Sequence, residues 1–246
     1  MELTILHLYP DFMSLYGEYA NVTVLRRRLE ALGVEVTVRT ACRADRPDFD
    51  GADMIYMGAG TERRQKLAME CLLPVRQELK DAADRGTLIL FTGSAMEVLG
   101  ASVTDAGGRL WQGLALADFT SVESETRTPE DVVALPTLWD APAVGFMNKC
   151  SVTRGIAAPL FSSLPLGFGN EAEHGAEGYV SGNILATHLT GPVLVKNPAF
   201  LDCLTRRLFE RKGWEPPAVL PALPHQTEAY DVTVRELQAS GITAGG

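Results

Sequence analysis

Hydrophobic and polar positions follow two alternating patterns along the first 100 residues. Short apolar runs predict four strands, and longer stretches with apolar residues at helical spacing predict the helices between them. The predicted strands are "LTILHLY", "VEVTVRT", "ADMIYM" and "TLILF", and the predicted helices are "YGEYANVTVLRRRLEALG" and residues 64–83. Strands that alternate with helices are typical of a parallel sheet with helices on both faces.

The second half has a less regular pattern. "VGFMN" and "GYVSGNILATHL" are predicted strands, and "NPAFLDCLTRRLFERKG" is a predicted helix with a proline in its first turn and Gly213 at its end. A proline-rich connector, "EPPAVLPALP", leads to a short predicted helix, "TEAYDVTVRELQAS". We therefore expect one domain over residues 1–213, followed by a connector and tail over 214–246.

Composition narrows the possible functions. Of the 246 residues, 46% are hydrophobic, the net charge is -9 and the pI is about 5.0. An acidic surface argues against nucleic-acid or anionic-membrane partners, which require a basic face. The N-terminus has no basic start and its apolar run breaks at a Pro-Asp pair, so no signal peptide is predicted and a cytoplasmic location is expected.

Cysteine and histidine spacing indicates neither a metal site nor a cofactor. The four cysteines are scattered and form no CxxC motif, so we expect reduced thiols. No pair of histidines has the spacing of metal ligands.

The segment "LFTGSAMEVLG" has the pattern of a nucleophile elbow, in which an apolar strand enters a sharp turn of small residues and a helix follows. Sites in open parallel sheets form at the carboxyl ends of strands. The loops 58–62 and 92–97 and the segment after Leu189 are therefore the candidate site. Where an elbow would place its nucleophile, this chain has Gly93.

Five further segments, in collinear order, carry a resemblance to a known family. "HLYPDFMSLYGEYANV" is similar to LYPDLLNLYGDRGN, "GAGTERRQ" to GGGQDREQ, and "GFMNKC" to GFENHG. "GLALADFTSVESETR" resembles a GLGLLD-T segment with a later arginine, and "GYVSGNILATHLTGPVLVKNP" resembles GNIIGTYLHGP-L-KNP. The chain thus resembles the class I glutamine amidotransferases of the CobB/CobQ-like group, and within it the glutaminase subunits that serve cell-wall precursor amidation.

The resemblance implies a flavodoxin-like α/β fold. It also implies a Mur-ligase-like synthetase as partner, acting on a cell-wall peptide precursor. In the family, a cysteine on the elbow attacks the glutamine side-chain amide, and a histidine acts as base and then acid. The family elbow CGGYQLLG aligns on Gly100, which places Gly93 at the cysteine position; the closing motif places Thr190 at the histidine position. Catalysis by the family route is therefore predicted to be lost.

Other residues offer alternatives at the same site. Ser94 is either a substitute nucleophile or a helix N-cap that forms a capping box with Glu97. His188 lies two residues before Thr190 and would face the same way on a strand, either as a substitute base or as a buried structural residue. Cys150 is a further candidate nucleophile or an inert thiol.

Charged and glycine positions complete the candidate site. Arg127 aligns with the arginine that holds the glutamine carboxylate in the family, and Gly60 lies in the glycine loop that approaches the elbow. Glu97 and Lys149 replace two family residues near the pocket, and we hypothesise an ion pair between them.

Three functions follow from these residues. The first is a glutaminase-family subunit that has lost its chemistry and supports a synthetase. The second is an active amide hydrolase that uses Ser94 or Cys150 with His188. The third is a sensor that binds glutamine or another small amino acid through Arg127. A sensor requires an open pocket, whereas a scaffold allows Met96 and Met147 to fill it.

Overall fold

The computed structural model describes residues 1–223 and 225–242, and its centre is a six-stranded sheet. The strand order is β10-β11-β4-β3-β1-β2, in which only the edge pair β10–β11 is antiparallel. These strands are β1 (Glu2–Leu8), β2 (Glu35–Ala41), β3 (Met54–Met57), β4 (Leu88–Thr92), β10 (Tyr179–Ser181) and β11 (Ile184–Thr187). The predicted α/β class with a mostly parallel sheet is confirmed.

Helices cover both faces of this sheet, as predicted. The helices are α1 (Tyr19–Ala31), α2 (Glu62–Leu72), α3 (Arg76–Asp84), α4 (Ala95–Val98), α5 (Val193–Lys196), α6 (Pro198–Arg211) and α7 (Gln226–Ile242). Apolar side chains of α2 and α3 belong to one core cluster, and those of α1 and α6 to the other. The two clusters are the two sides of the sheet, since side chains alternate between its faces.

The single long helix predicted over residues 64–83 is wrong, because the segment divides into two helices. Helix α2 ends at Leu72, a 3-10 turn spans Leu73–Val75, and α3 begins at Arg76. Pro74 lies in that turn, where it has no N–H to continue the helical hydrogen bonds.

A second sheet is the part of the fold that the hydrophobic pattern did not predict. Its strands are β5 (Ser102–Thr104), β6 (Leu110–Gln112), β7 (Thr120–Pro136), β8 (Ala143–Arg154) and β9 (Phe161–Leu166). The predicted strand "VGFMN" lies within β8 and pairs antiparallel with β7. The register of this pair shifts between Glu123 and Thr128, and this irregularity contains Arg127.

The C-terminal segment packs along the domain. Arg206 on α6 donates hydrogen bonds to the carbonyls of Pro217 and Ala218 in the connector. Tyr230 on α7 donates to the Pro142 carbonyl at 2.7 Å. The domain limits at 213 and 214 stay a prediction, and residue 224 of the predicted connector and residues 243–246 of the predicted tail lie outside the described residues.

None of the helices in the described part of the chain combines the length and the apolar character that crossing a bilayer requires.

Candidate functional site

The candidate site is a cavity of about 180 Å3 at the carboxyl ends of β3, β4 and β11. The loops that follow these three strands form one wall, and strands β7 and β8 of the second sheet form the other. The structure brings together every candidate site residue that the sequence indicated: Gly60, Gly93, Ser94, Glu97, Arg127, Lys149, Cys150, His188 and Thr190 all line it. Met96 and Met147 lie instead in the two apolar cores, so these side chains do not fill the cavity.

The elbow has no side chain at its apex. Strand β4 ends at Thr92, α4 begins at Ala95, and Gly93 between them has φ +60°. This is the left-handed region, which L side chains rarely adopt outside strained turns. The backbone geometry of an elbow is therefore present without a nucleophile.

The predicted capping box at Ser94 is wrong. Ser94 has helical dihedrals, φ -62° and ψ -16°, whereas an N-cap residue needs an extended backbone to turn its hydroxyl onto the helix. The Ser94 hydroxyl instead donates to the Gly60 carbonyl at 2.9 Å and accepts from the Gly60 N–H at 3.0 Å. Ser94 thus joins the elbow to the loop after β3.

Thr190 faces the elbow, and its hydroxyl is bound to a carboxylate that sequence reasoning missed. Thr190 Oγ1 donates to Glu18 Oε1 at 2.7 Å, and the Gly191 N–H donates to the same oxygen at 2.9 Å. Glu18 also accepts hydrogen bonds from Thr92 and Tyr56. In the sequence, Glu18 is recognisable only as the acidic residue of the "LYGEYAN" segment.

Glu18 is buried, with no solvent exposure. Burial raises the pKa of Glu18, and the hydrogen bonds from Thr92, Thr190, Gly191 and Tyr56 offset this only in part. Glu18 is thus a buried carboxyl group held by Thr92, Tyr56, Thr190 and Gly191.

His188 is a buried residue held between two carboxylates. Its Nδ1 lies 3.0 Å from Glu177 Oε1, which also accepts the backbone N–H of His188 at 2.7 Å. Its Nε2 lies 3.3 Å from Glu97 Oε1, within ion-pair distance but outside hydrogen-bond geometry. Within the part of the chain that the structure describes, no hydroxyl or thiol is hydrogen-bonded to Nε2.

Glu97 is an ionised carboxylate in the cavity wall. It accepts hydrogen bonds from Gln65, at 2.7 Å, and from Ser151. Burial opposes ionisation of Glu97, but the nearby His188 ring, together with hydrogen bonds from Ser151 and Gln65, outweighs it and lowers the pKa to about 2. Glu97 is therefore an ionised carboxylate 3.3 Å from the His188 ring.

The hypothesis of a Glu97–Lys149 ion pair is wrong. Lys149 Nζ donates to the Gly169 carbonyl at 2.5 Å and lies 5.2 Å from the Phe168 ring centre. Burial lowers the pKa of Lys149, which is consistent with an ammonium group withdrawn from water.

Arg127 and Cys150 lie at the mouth of the cavity, where both contact Glu62. Arg127 forms a salt bridge with Glu62 Oε1. The Cys150 thiol donates to the same oxygen at 3.7 Å, and burial together with Glu62 raises its pKa to about 11. Cys150 is therefore a thiol at neutral pH and not the thiolate that nucleophilic attack requires.

Within the described ranges, 1–223 and 225–242, no group of three or more His, Cys, Asp or Glu residues is placed to hold a metal ion.

Comparisons with known proteins identify the family of this chain. The family model of the CobB/CobQ-like glutamine amidotransferase domain matches residues 4–198. The chain belongs to this family. The GatD subunit of the lipid II isoglutaminyl synthase (glutamine-hydrolyzing) of Staphylococcus aureus (strain N315) is 31% identical over 212 residues, which is 86% of each chain. The corresponding GatD subunit of Streptococcus pneumoniae is 26% identical over 214 residues, 86% of this chain and 82% of that protein.

Solved structures support the amidotransferase fold. A crystal structure of a glutamine amidotransferase has a TM-score of 0.50 and 13% identity, covering 85% of this chain and 98% of the other. A glutamine amidotransferase from Thermotoga maritima has a TM-score of 0.51 and 8% identity, covering 97% and 93%. At these identities the likeness concerns the fold alone.

Proposed function

We propose that this amidotransferase chain is a GatD-like subunit that no longer hydrolyses glutamine. One observation carries the proposal. Gly93 has no side chain at the elbow apex, and in the described residues no hydroxyl or thiol is hydrogen-bonded to His188. Hydrolysis of an amide by the family route needs a nucleophile within hydrogen-bond reach of a base.

The proposed role is support of a partner that amidates a cell-wall precursor. Both curated relatives are named as subunits of a lipid II isoglutaminyl synthase. We infer that this chain binds a Mur-ligase-like synthetase subunit, keeps it in an active shape, and leaves it to use free ammonia. The free thiols of all four cysteines suit the reducing cytoplasm, which is the proposed compartment.

The source of the amide nitrogen tests this role. The complex of the chain with its co-purified synthetase is supplied with the cell-wall precursor, isotope-labelled glutamine and unlabelled ammonium. We expect product amide nitrogen from ammonium only, measured by mass spectrometry. Label from glutamine in the product would contradict the proposal. Equal amidation by the synthetase without this chain would contradict the supporting role.

The alternative of an active hydrolase has little support. Both proposed nucleophiles are bound elsewhere, since the Ser94 hydroxyl is bonded to Gly60 and the Cys150 thiol to Glu62. A hydroxyl that already donates to a carbonyl is not positioned for proton transfer to His188.

An amino-acid-binding module is the second candidate, favoured by the open cavity with Arg127 in its wall. A ligand carboxylate would have to displace Glu62 from the guanidinium. Glutamine binding without hydrolysis would support this function, and it is compatible with a role beside a synthetase.

We also propose the division of the chain into an amidotransferase-like domain over 1–213 and an appended segment over 214–246. The match of the family model, which ends at residue 198, supports an appended C-terminus.

A further inference from the structure

Position 93 has no room for a side chain. A Cβ built on Gly93 would lie 2.5 Å from the Ala59 Cβ and 3.3 Å from the Ala59 Cα. Carbon atoms in contact are ordinarily about 3.5–4.0 Å apart. Neither Cβ can rotate away, because each is fixed by its backbone. The same Cβ would lie 3.7 Å from the Thr190 Cβ, so the excluded space is that between positions 93 and 190.

The loop that carries Ala59 cannot easily withdraw. A Cβ built on Gly58, the residue before Ala59, would lie 2.6 Å from the Glu18 Cβ, so the loop backbone is closely packed against Glu18. The Leu15 N–H donates to the Ala59 carbonyl at 2.8 Å. These two contacts therefore keep the Ala59 methyl group against Gly93.

Ser94 binds the same loop through hydrogen bonds. Its hydroxyl makes two hydrogen bonds to Gly60, one to the carbonyl and one from the N–H. Ser94 thus holds Gly60, the residue that follows Ala59, in place.

We infer that Ala59 and Ser94 are positioning residues that close the elbow to any nucleophile, in addition to the changes at Gly93 and Thr190. The inference rests on the proposed loss of glutaminase activity. The family segments to which this chain is similar have glycine at the position of Ala59, in GGGQDREQ, and at the position of Ser94, in CGGYQLLG. Substitution of both residues by glycine should therefore reopen the elbow.

A double-mutant cycle of thermal stability tests the steric block between Ala59 and position 93 without measuring activity. The melting temperatures of the wild type, Gly93→Ala, Ala59→Gly and the double variant are compared. We expect Gly93→Ala to lower Tm by roughly 4–10 °C more in the wild-type background than in the Ala59→Gly background, because overpacking is added to backbone strain. Equal decreases in both backgrounds would overturn the inference.

Gly33 provides the matched control. Its φ is +76° and nothing lies within 4 Å of the position of its Cβ, so Gly33→Ala measures left-handed strain alone. Its effect on Tm should be the same with and without Ala59→Gly. A difference would mean that Ala59→Gly changes the sensitivity of the whole fold.

Ammonia release then tests the functional consequence. Gly93→Cys/Thr190→His is compared with Ala59→Gly/Gly93→Cys/Ser94→Gly/Thr190→His, each checked for folding by circular dichroism. We expect glutamine hydrolysis at least tenfold faster in the fourfold variant. Equal rates, zero included, would overturn the assignment of Ala59 and Ser94. Hydrolysis by the wild type would instead contradict the proposed function. The steric block between Ala59 and position 93 would then be tested by the melting temperatures alone.

Discussion

Glu18→Ala is expected to lower the free energy of unfolding by about 3 kcal/mol or more, because each buried donor left without a partner costs about 1–3 kcal/mol. The Glu18 carboxyl group accepts hydrogen bonds from Thr92, Thr190 and the Gly191 N–H. In Glu18→Ala the Thr190 hydroxyl and the Gly191 N–H lose this acceptor, and the Thr92 hydroxyl keeps only Tyr56. For a domain of this size the change corresponds to a decrease in Tm of roughly 6–12 °C. Denaturant and thermal unfolding measure both quantities.

Glu18→Gln is the matched control. Glutamine has nearly the same shape as glutamate and keeps one acceptor oxygen. We expect Glu18→Gln to stay within about 1 kcal/mol of the wild type, because the amide keeps an acceptor for Thr190 and Gly191. A Glu18→Ala protein as stable as Glu18→Gln would contradict the role assigned to these hydrogen bonds.

The second large effect is a loss of stability in acid that depends on Glu97. Its folded-state pKa of about 2 lies below the ordinary value of 4.5. The unfolded chain therefore takes up the proton first as pH falls. The stabilisation is fully present above about pH 4.5 and is lost as pH falls toward 2, with a total of about 3 kcal/mol.

Glu97→Gln isolates this contribution. The free energy of unfolding of the wild type should decrease by about 2 kcal/mol more than that of the variant between about pH 6 and pH 3. Burial lowers the pKa of His7 to about 4, which adds a separate acid-sensitive contribution, but His7 is present in both proteins. Parallel pH profiles for the two proteins would show that His188 does not stabilise an ionised Glu97.

The sequence was sufficient to place the candidate residues around one cavity. The apolar strands that enter the turns at Gly58 and Gly93 predicted where the loops meet, because carboxyl ends of parallel strands share one edge of a sheet. The collinear motifs placed Thr190 opposite the elbow, and the structure puts both positions in the wall of one cavity.

The contacts within the site could not be predicted in the same way. The Ala59–Gly93 contact joins two small residues from different loops, and small residues produce no hydrophobic pattern. The capping box at Ser94 was wrong because the elbow, not the local sequence, sets the dihedrals of Ser94. Glu18 was missed because its donors distant in sequence, Tyr56, Thr92 and the pair Thr190 and Gly191, lie on three separate segments.

The second sheet was missed for a related reason. Strand β7 contains the polar run "TSVESETRTPED", and much of its length is exposed. A strand with one solvated face and an irregular register gives a weak period-2 pattern. That irregular segment nevertheless supplies Arg127 at the mouth of the cavity.

Internal partners now hold many of the polar groups in the cavity wall. Ser94 is bound to Gly60, Thr190 to Glu18, and Arg127 to Glu62. Buried polar groups need such partners, since an unmet hydrogen bond is costly. A wall whose groups are already paired stabilises the fold, and it leaves few groups free to bind a transition state.

The most direct measurement is ammonia release from glutamine by the purified chain, alone and in complex with its co-purified synthetase. We expect no release above the rate in buffer in either case, because the elbow at Gly93 has no nucleophile. Release that follows the concentration of the native chain, and that persists after repeated purification, would contradict the proposed loss of glutaminase activity. The reacting group would then have to be sought among Ser94, Cys150 and His188.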